Sequence, residues 1–272
     1  MISWLTQGLL GVRDGIEDLI YSFFPSPNAE LILGLVFGST DVKELGRFND
    51  IMRGVGLIHV VVVSGYNINL VFDLALRLVG SKFKFLNLVV AQFAVFLYAL
   101  MTGFEIPTAR ALIMSSALYW TRFFGYKVNP LTLLFFSAFV MLLYDRETLT
   151  NLSFQLSFAA TLGLIVLGNL VTKVADRFPI PKVLAADLSA TFSAQTFVLP
   201  IIYKAFGTLN LVGFLSNPVI LWLVPMMTLS ALIFVPLAFI SPFLGSIARI
   251  PLFVLSSTFI EVSSFMFRIF SA

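Results

Sequence analysis

His59, the one histidine of the chain, is followed by a group of small and polar residues: Ser64, Gly65, Tyr66, Asn67, Asn69 and Asp73. An imidazole can move a proton, and hydroxyls and amides can hold water or a polar solute. Here they sit inside residues 54–73, GVGLIHVVVVSGYNINLVFD, whose first eighteen residues from Val55 carry no formal charge. That length crosses a bilayer core of about 30 Å, where polar side chains are costly and normally face a partner or a cavity. At about 100° per residue, His59, Tyr66, Asp73 and Arg77 form one stripe about 27 Å long, flanked by Asn67. The stripe reads either as the polar lining of a conduit or as an interhelical hydrogen-bonding seam. The β-branched run Val60 to Val63, followed by Ser64 and Gly65, predicts a local distortion of the helix.

Three further groups combine polar side chains with helix breakers. Residues 101–110, MTGFEIPTAR, join two apolar segments and contain Gly103, Glu105, Pro107 and Arg110. Arg110 lies one turn into the following segment, where a charge must be paired or solvated, and Glu105 is its nearest partner in sequence. Residues 151–158, NLSFQLSF, open another segment. Ser153, Ser157 and Thr161 share its face at four-residue spacing, as in close helix packing, whereas Gln155 must satisfy both a donor and an acceptor. Gln195, Pro200, Asn217 and Pro218 add amides and breaks further on.

Hydrolytic and metal chemistry find little support. With no cysteine and a single histidine, thiolate catalysis and multi-histidine metal sites are excluded, and no cofactor is expected. Ser64 lies five residues after His59, on a different helical face, so local spacing makes no Ser–His pair. A glycine-rich phosphate loop, an HExxH motif and a basic stretch interleaved with aromatics are all missing.

The elements that must position these residues are membrane helices. The 272 residues are 59% hydrophobic and 11% charged, with 30 phenylalanines and a mean hydropathy of +0.98. Such a composition predicts an all-α fold, a polytopic transmembrane helix bundle; barrel-type alternation over about ten residues is absent. Residues 1–27 form the first unit, an amphipathic helix with Ile2, Leu5, Leu9, Val12, Ile16, Leu19 and Phe23 on one face. It lacks signal-peptide features and would lie on the membrane surface or against the bundle.

Residues 28–272 form the second unit, the transmembrane domain. It opens with an apolar segment at 29–38 that is too short to span, and a charged connector at 39–53. After the span at 54–73 come spans at about 85–104, 107–122, 128–144, 151–172, 185–203 and 244–269. Residues 205–248 are uncharged but hold Pro218, Pro225, Pro236 and Pro242, which predicts broken or re-entrant helices. The total is about seven to nine spans. The net charge of +3 fits basic cytoplasmic loops. Connectors with Arg77/Lys82/Lys84, Arg122/Lys127 and Lys173/Asp176/Arg177/Lys182 are net basic and alternate with acidic ones, which puts His59 near the outer face.

Four stretches, in order, resemble one family. They are GLIHVVVVSGYNINLV at 56–71, LMTGFEIPTARALIM at 100–114, LSFQLSFAATLGL at 152–164 and AQTFVLPIIYKAFGTLNLVGFLSNPVIL at 194–221. They resemble the motifs of the ComEC competence proteins, here over the membrane channel domain alone. The resemblance implies a multi-pass channel of the cytoplasmic (inner) membrane that carries single-stranded DNA during natural transformation. Its partners would be DNA, the lipid bilayer and other competence proteins, including separately encoded OB-like and metallo-hydrolase domains, and a homo-oligomer stays open. By position, His59, Ser64 and Gly65 match the first motif, and Thr102, Gly103, Pro107 and Arg110 the second. Ser153, Gln155 and Ser157 match the third, and Gln195, Pro200 and Asn217 the fourth. Many members carry a second histidine shortly after the Ser-Gly pair, where this chain has Asn67. The OB-like and metallo-β-lactamase-like domains of full-length members have no counterpart in these residues, so no enzymatic activity is expected. The rival readings are a small-solute transporter or ion channel on the same fold and a non-transporting membrane scaffold, with an intramembrane hydrolase last.

Overall fold

The computed structural model describes residues 2–38, 46–57, 65–79, 84–177, 179, 181–207 and 212–270. Among them are twelve α-helices and one 3-10 turn, Arg146–Thr150, with no strand. The helices are α1 (Ile2–Phe23), α2 (Asn28–Phe37), α3 (Gly46–Gly54), α4 (Gly65–Val79), α5 (Lys84–Met101) and α6 (Ile106–Phe123). They continue as α7 (Pro130–Tyr144), α8 (Leu152–Ala175), α9 (Lys182–Phe206), α10 (Gly213–Ile220), α11 (Leu223–Ile240) and α12 (Pro242–Phe270). Five of them, α5, α8, α9, α11 and α12, are long and apolar enough to cross a membrane, and α7 is apolar but has 15 residues. The expected count of seven to nine therefore depends on the shorter or more polar α4, α6 and α7.

The polarity of the bundle is inverted relative to a water-soluble protein. Phe135, Phe139, Leu143, Ile240, Phe243 and Ile250 are exposed, while Thr108, Ser137, Ser193, Ser216, Ser256 and Ser263 are fully buried. In lipid, apolar side chains lose nothing by facing outward, and small hydroxyl residues let backbones approach and satisfy themselves on helical carbonyls. Ser137 donates to Leu134 O at 2.7 Å, and Ser263 to Phe259 O at 2.7 Å.

At the centre lies α2, too short to span. From Ala29 to Val36 it is buried, packed by α1, α11 and α12. Its entry is held by Asn28, whose Nδ2 donates to the hydroxyls of Ser256 (2.8 Å) and Ser257 (3.0 Å) on α12. α1 closes over it with Ile16 and Ile20, which are buried together with Phe24. Phe23 and Phe24 make edge-to-face contacts with Phe234 of α11 at 5.3 and 5.1 Å. The expected apolar stripe thus packs against the bundle through its second half, and Val12 is left half exposed.

Two expectations need correction. Residues 54–73 are not one continuous helix: α3 ends at Gly54, Val55 and Gly56 turn, and α4 is described over Gly65–Val79, residues 58–64 lying outside the described ones. Gly56 has φ +76°, a left-handed conformation that cannot continue a helix. Nor is the stretch at 39–53 a connector alone. Its second half is α3, in which Phe48, Ile51 and Met52 are buried at helical spacing behind the charges of Arg53 and Asp50. Residues 205–248, by contrast, are broken as expected, into the eight-residue α10 and the 18-residue α11, divided by a turn at Leu221 and Trp222.

The α8–α9 hairpin is the tightest contact that depends on a glycine. A Cβ on Gly163 would run into the backbone carbonyl of Ser193 and come within 3.1 Å of the Phe197 ring. Gly163→Ala should therefore cost about 1–3 kcal/mol by forcing the helices apart. Gly168→Ala in the same helix has open space around it. It should be neutral or stabilising by up to about 1 kcal/mol through helix propensity. Thermal unfolding of the detergent-solubilised protein checks both signs.

Candidate functional site

The polar residues of the motifs fall into four groups. The first surrounds the C-terminal end of α2. The last carbonyls of a helix have no intrahelical donor, so burying them in an apolar core requires donors from elsewhere. Asn67, 1% exposed on α4, donates from Nδ2 to Leu35 O at 2.7 Å. Tyr98 of α5 donates its hydroxyl to Val36 O at 2.7 Å. Thr228 of α11 completes the node with a long contact, 3.5 Å, from its hydroxyl to Asn67 Oδ1. Asn67 is thus the fastener of three helices.

The second group is a polar seam between α4 and α6, which run in the same direction. Gly65 meets Pro107, Arg110 and Ala111: its Cβ position lies 3.1 Å from both Arg110 Nη2 and Ala111 Cβ. One turn on, Ser115 donates to Asn69 Oδ1 at 2.5 Å; another turn on, the Tyr119 hydroxyl donates to Asp73 Oδ1. Tyr119 also stacks on Phe72 at 4.1 Å between centroids. The three steps lie on one side of α4, because 65, 69 and 73 are four residues apart. Asn69 and Asp73 remain exposed beside the seam.

The expected Arg110–Glu105 ion pair is not formed among the described residues. Glu105 occupies the N-cap position of α6, five residues and about 140° round the helix from Arg110. Thr102 and Gly103 shape the preceding turn: Thr102 donates to Ala99 O at 3.0 Å, and Gly103 has φ +72°. Pro107, in the first turn of α6, needs no N–H there.

The third group joins α9, α10 and the turn after α3. Gly213, at the start of α10, lies 3.2 Å from Gln195 Nε2 and 3.8 Å from the Gly56 backbone, measured from its Cβ position. Ser216 donates to Val55 O at 2.5 Å and is fully buried. Asn217 and Pro218 lie buried beside it in α10. Pro200 is internal to α9 and exposed.

The fourth group, at the start of α8, divides. Gln155 is exposed and donates to Leu149 O at 3.1 Å, tying it to the local 3-10 turn. Ser153 is exposed in the first turn, where its N–H is capped by Asn151 Oδ1 at 2.9 Å. Ser157, one turn further, is drawn inward.

Arg110 Nε, Ser157 Oγ, Gln195 Oε1 and Asn217 Oδ1 are buried and have no partner among the described residues. So are Thr108 Oγ1 and Ser193 Oγ, which neighbour them in sequence, and Glu30 Oε2 in α2. A buried polar atom without a partner is uncommon and calls for a reason. His59 and Ser64 lie outside the described residues, as does the side chain of Tyr66. Of the stripe His59, Tyr66, Asp73 and Arg77, the structure therefore places Asp73 and Arg77, both exposed on α4. Tyr98, Ser115 and Thr228 lie in no motif stretch, and Ser216 lies within the fourth without being one of its matched residues. A single tyrosine, serine or threonine in an apolar helix gives no signal of its long-range partner.

The match to known proteins covers the same ground. A family model described as Competence protein matches residues 4–272. The chain belongs to that family. It is 24% identical over 224 residues to ComE operon protein 3 of Bacillus subtilis (strain 168), covering 81% of this chain and 27% of that relative. The chain thus spans about a quarter of the length of the curated relative it matches. No solved structure matches. Membership and the helical bundle together make this a membrane protein of the competence family.

Asn67 gives the node its test. Asn67→Leu removes the donor to Leu35 O and should cost about 1–3 kcal/mol, since a buried carbonyl is left unsatisfied. Tyr98→Phe should cost a comparable amount for Val36 O. Both are read as shifts in thermal unfolding in detergent. An unchanged midpoint in either variant would show that the carbonyl does not need that donor.

Proposed function

We propose that this chain is the membrane-embedded conduit through which single-stranded DNA crosses the cytoplasmic membrane during natural transformation. The observation that carries the reading is the set of buried, unpartnered polar atoms at Arg110, Ser157, Gln195 and Asn217. They come from three separate motifs and four helices, α6, α8, α9 and α10, in a chain whose family is one of competence proteins. Such atoms suit a wet polar interior that strips little from a polar polymer.

The physical obstacle is charge. Each nucleotide carries a phosphate, and a lining dense in cations would hold it fast. Arg110 is the cation of this set, beside uncharged hydroxyls and amides, so the strand can be stabilised at one place and slide past the rest. Gly65 lets the guanidinium pack directly on α4. Asn69 and Asp73, exposed along the same seam, continue the polar surface toward the other end of α4. Under this reading the chain is not itself an enzyme. Strand degradation and capture fall to partner proteins, such as separately encoded OB-like and metallo-hydrolase domains.

Complementation of a deletion strain, scored as transformation frequency, tests the reading. Arg110→Gln, Gln195→Leu and Asn217→Leu should each lower the frequency about tenfold or more, the effect of roughly 1.4 kcal/mol on a barrier. Membrane levels of the protein should be unchanged. Gln155→Leu, on the exposed face, should stay within about twofold, well under 1 kcal/mol. Wild-type frequency in all three interior variants would overturn the conduit. Lost uptake of a small ion or metabolite with transformation intact would replace it with a solute transporter.

A further inference from the structure

The ends of α4 and α6 and the beginning of α5 come together around a cavity of about 360 Å³. Lys84, the first residue of α5, and Arg122, in the last turn of α6, line it. Leu76, Tyr119 and Phe123 supply the apolar wall, and Asn87 braces it by donating from Nδ2 to Leu76 O at 2.7 Å. No Asp or Glu is among its described lining residues. The carboxylate of Asp73, one step along α4, is engaged by the Tyr119 hydroxyl.

We propose that this cavity binds the phosphate headgroup of an anionic phospholipid. Two cations in a concave site flanked by a helix N-terminus attract one diffuse negative charge. The volume lies within the range of small-ligand pockets, about 300–1,000 Å³. Its surroundings distinguish a lipid from a nucleic acid. Phe85, Trp120, Phe123 and Phe124 form a connected aromatic cluster with centroids 5.4 to 6.2 Å apart. Phe85 and Phe124 are largely exposed, as is Tyr126 just beyond the helix. Exposed aromatics at helix ends mark the depth of lipid headgroups. Trp120, in ring contact with Phe123, also lines a second cleft of about 290 Å³ on the adjacent face of α5, with Val89, Gln92, Phe93 and Phe96. Gln92 is its polar lining residue; the other four are apolar or aromatic, and no cation is among its described lining residues. The cleft runs toward the middle of α5, which suits an acyl chain better than a phosphodiester strand.

The site lies at the helix ends, where Tyr119 joins it to the far end of the α4–α6 seam; Arg110, at the other end of that seam, and Gln195 and Asn217 do not line it. Its test therefore reads lipid and not DNA. The full chain in zwitterionic detergent is titrated with short-chain phosphatidylglycerol, phosphatidylcholine or inorganic phosphate, and bound lipid is counted by native mass spectrometry. One phosphatidylglycerol should be retained in preference to phosphatidylcholine. Lys84→Gln or Arg122→Gln should weaken retention about fivefold each, and about 30-fold together, from roughly one elementary interaction per basic residue near a lipid surface. Arg122→Lys should keep most of the affinity, and the Lys173→Gln/Arg177→Gln pair, whose residues do not line the cavity, should match wild type.

Equal retention of both lipids by the wild-type chain would overturn the proposal, and so would an unchanged double variant. Inorganic phosphate binding as tightly as the lipid would reassign the cavity to free anions. Displacement of the lipid by a stoichiometric single-stranded oligonucleotide would reassign it to the DNA path. If the double variant fails to fold, the wild-type comparison of the two lipids decides alone.

Discussion

The fold depends on one constraint: a ten-residue helix is buried where its last carbonyls cannot reach water. In a bilayer each unsatisfied backbone group costs several kcal/mol, so α2 can exist at this depth only if other helices supply donors. Asn67 and Tyr98 supply them, to Leu35 and Val36. Those two bonds fix where α4 and α5 sit relative to the centre. Asn28 fixes α12 at the opposite end of the same short helix. Everything that carries the motifs is hung on elements located this way. α6 is registered on α4 through Gly65, Asn69 and Asp73, and α10 is held to the turn after α3 through Ser216.

Around this frame the interior separates polar groups that are satisfied from those that are not. Serines and threonines on helix faces mostly return their hydroxyls to a carbonyl three or four residues back, and so act as spacers. Asn67, Asn69 and Asp73 bind across helices and act as fasteners. Arg110, Ser157, Gln195 and Asn217 do neither. A polar group already bonded across helices holds the bundle together, and a buried one without a partner is the one left open to bond something else.

Much of the fold was legible because lipid imposes it. Boundaries of α5 to α9 and of α12 follow from apolar length, Pro at helix starts and charges at helix ends. Reading residues 54–73 as one span failed because apolar composition says nothing of a left-handed turn at Gly56. α3 was hidden for the converse reason: its charges mask a buried stripe of Phe48, Ile51 and Met52. At the site, motif spacing pointed to Asn67, Arg110, Gln195 and Asn217 without telling a group bonded across helices from a buried one without a partner. Glu105 looked like the partner of Arg110 because it is close in sequence, yet helical rotation carries the two apart.

By itself, then, the sequence determined that this is an all-helical membrane protein of the competence family, with a broken stretch within residues 205–248 and a turn at Thr102–Pro107. Those properties are local or compositional: transfer of side chains to lipid, proline's missing N–H, and motif identity. Only the tertiary structure decided that Asn67 serves α2, that Gly65 seats Arg110, and that Gln155 faces outward while Gln195 faces in. A polar side chain in lipid must find a partner. Which partner it finds depends on helix packing between residues dozens to hundreds of positions apart, and no local pattern encodes that.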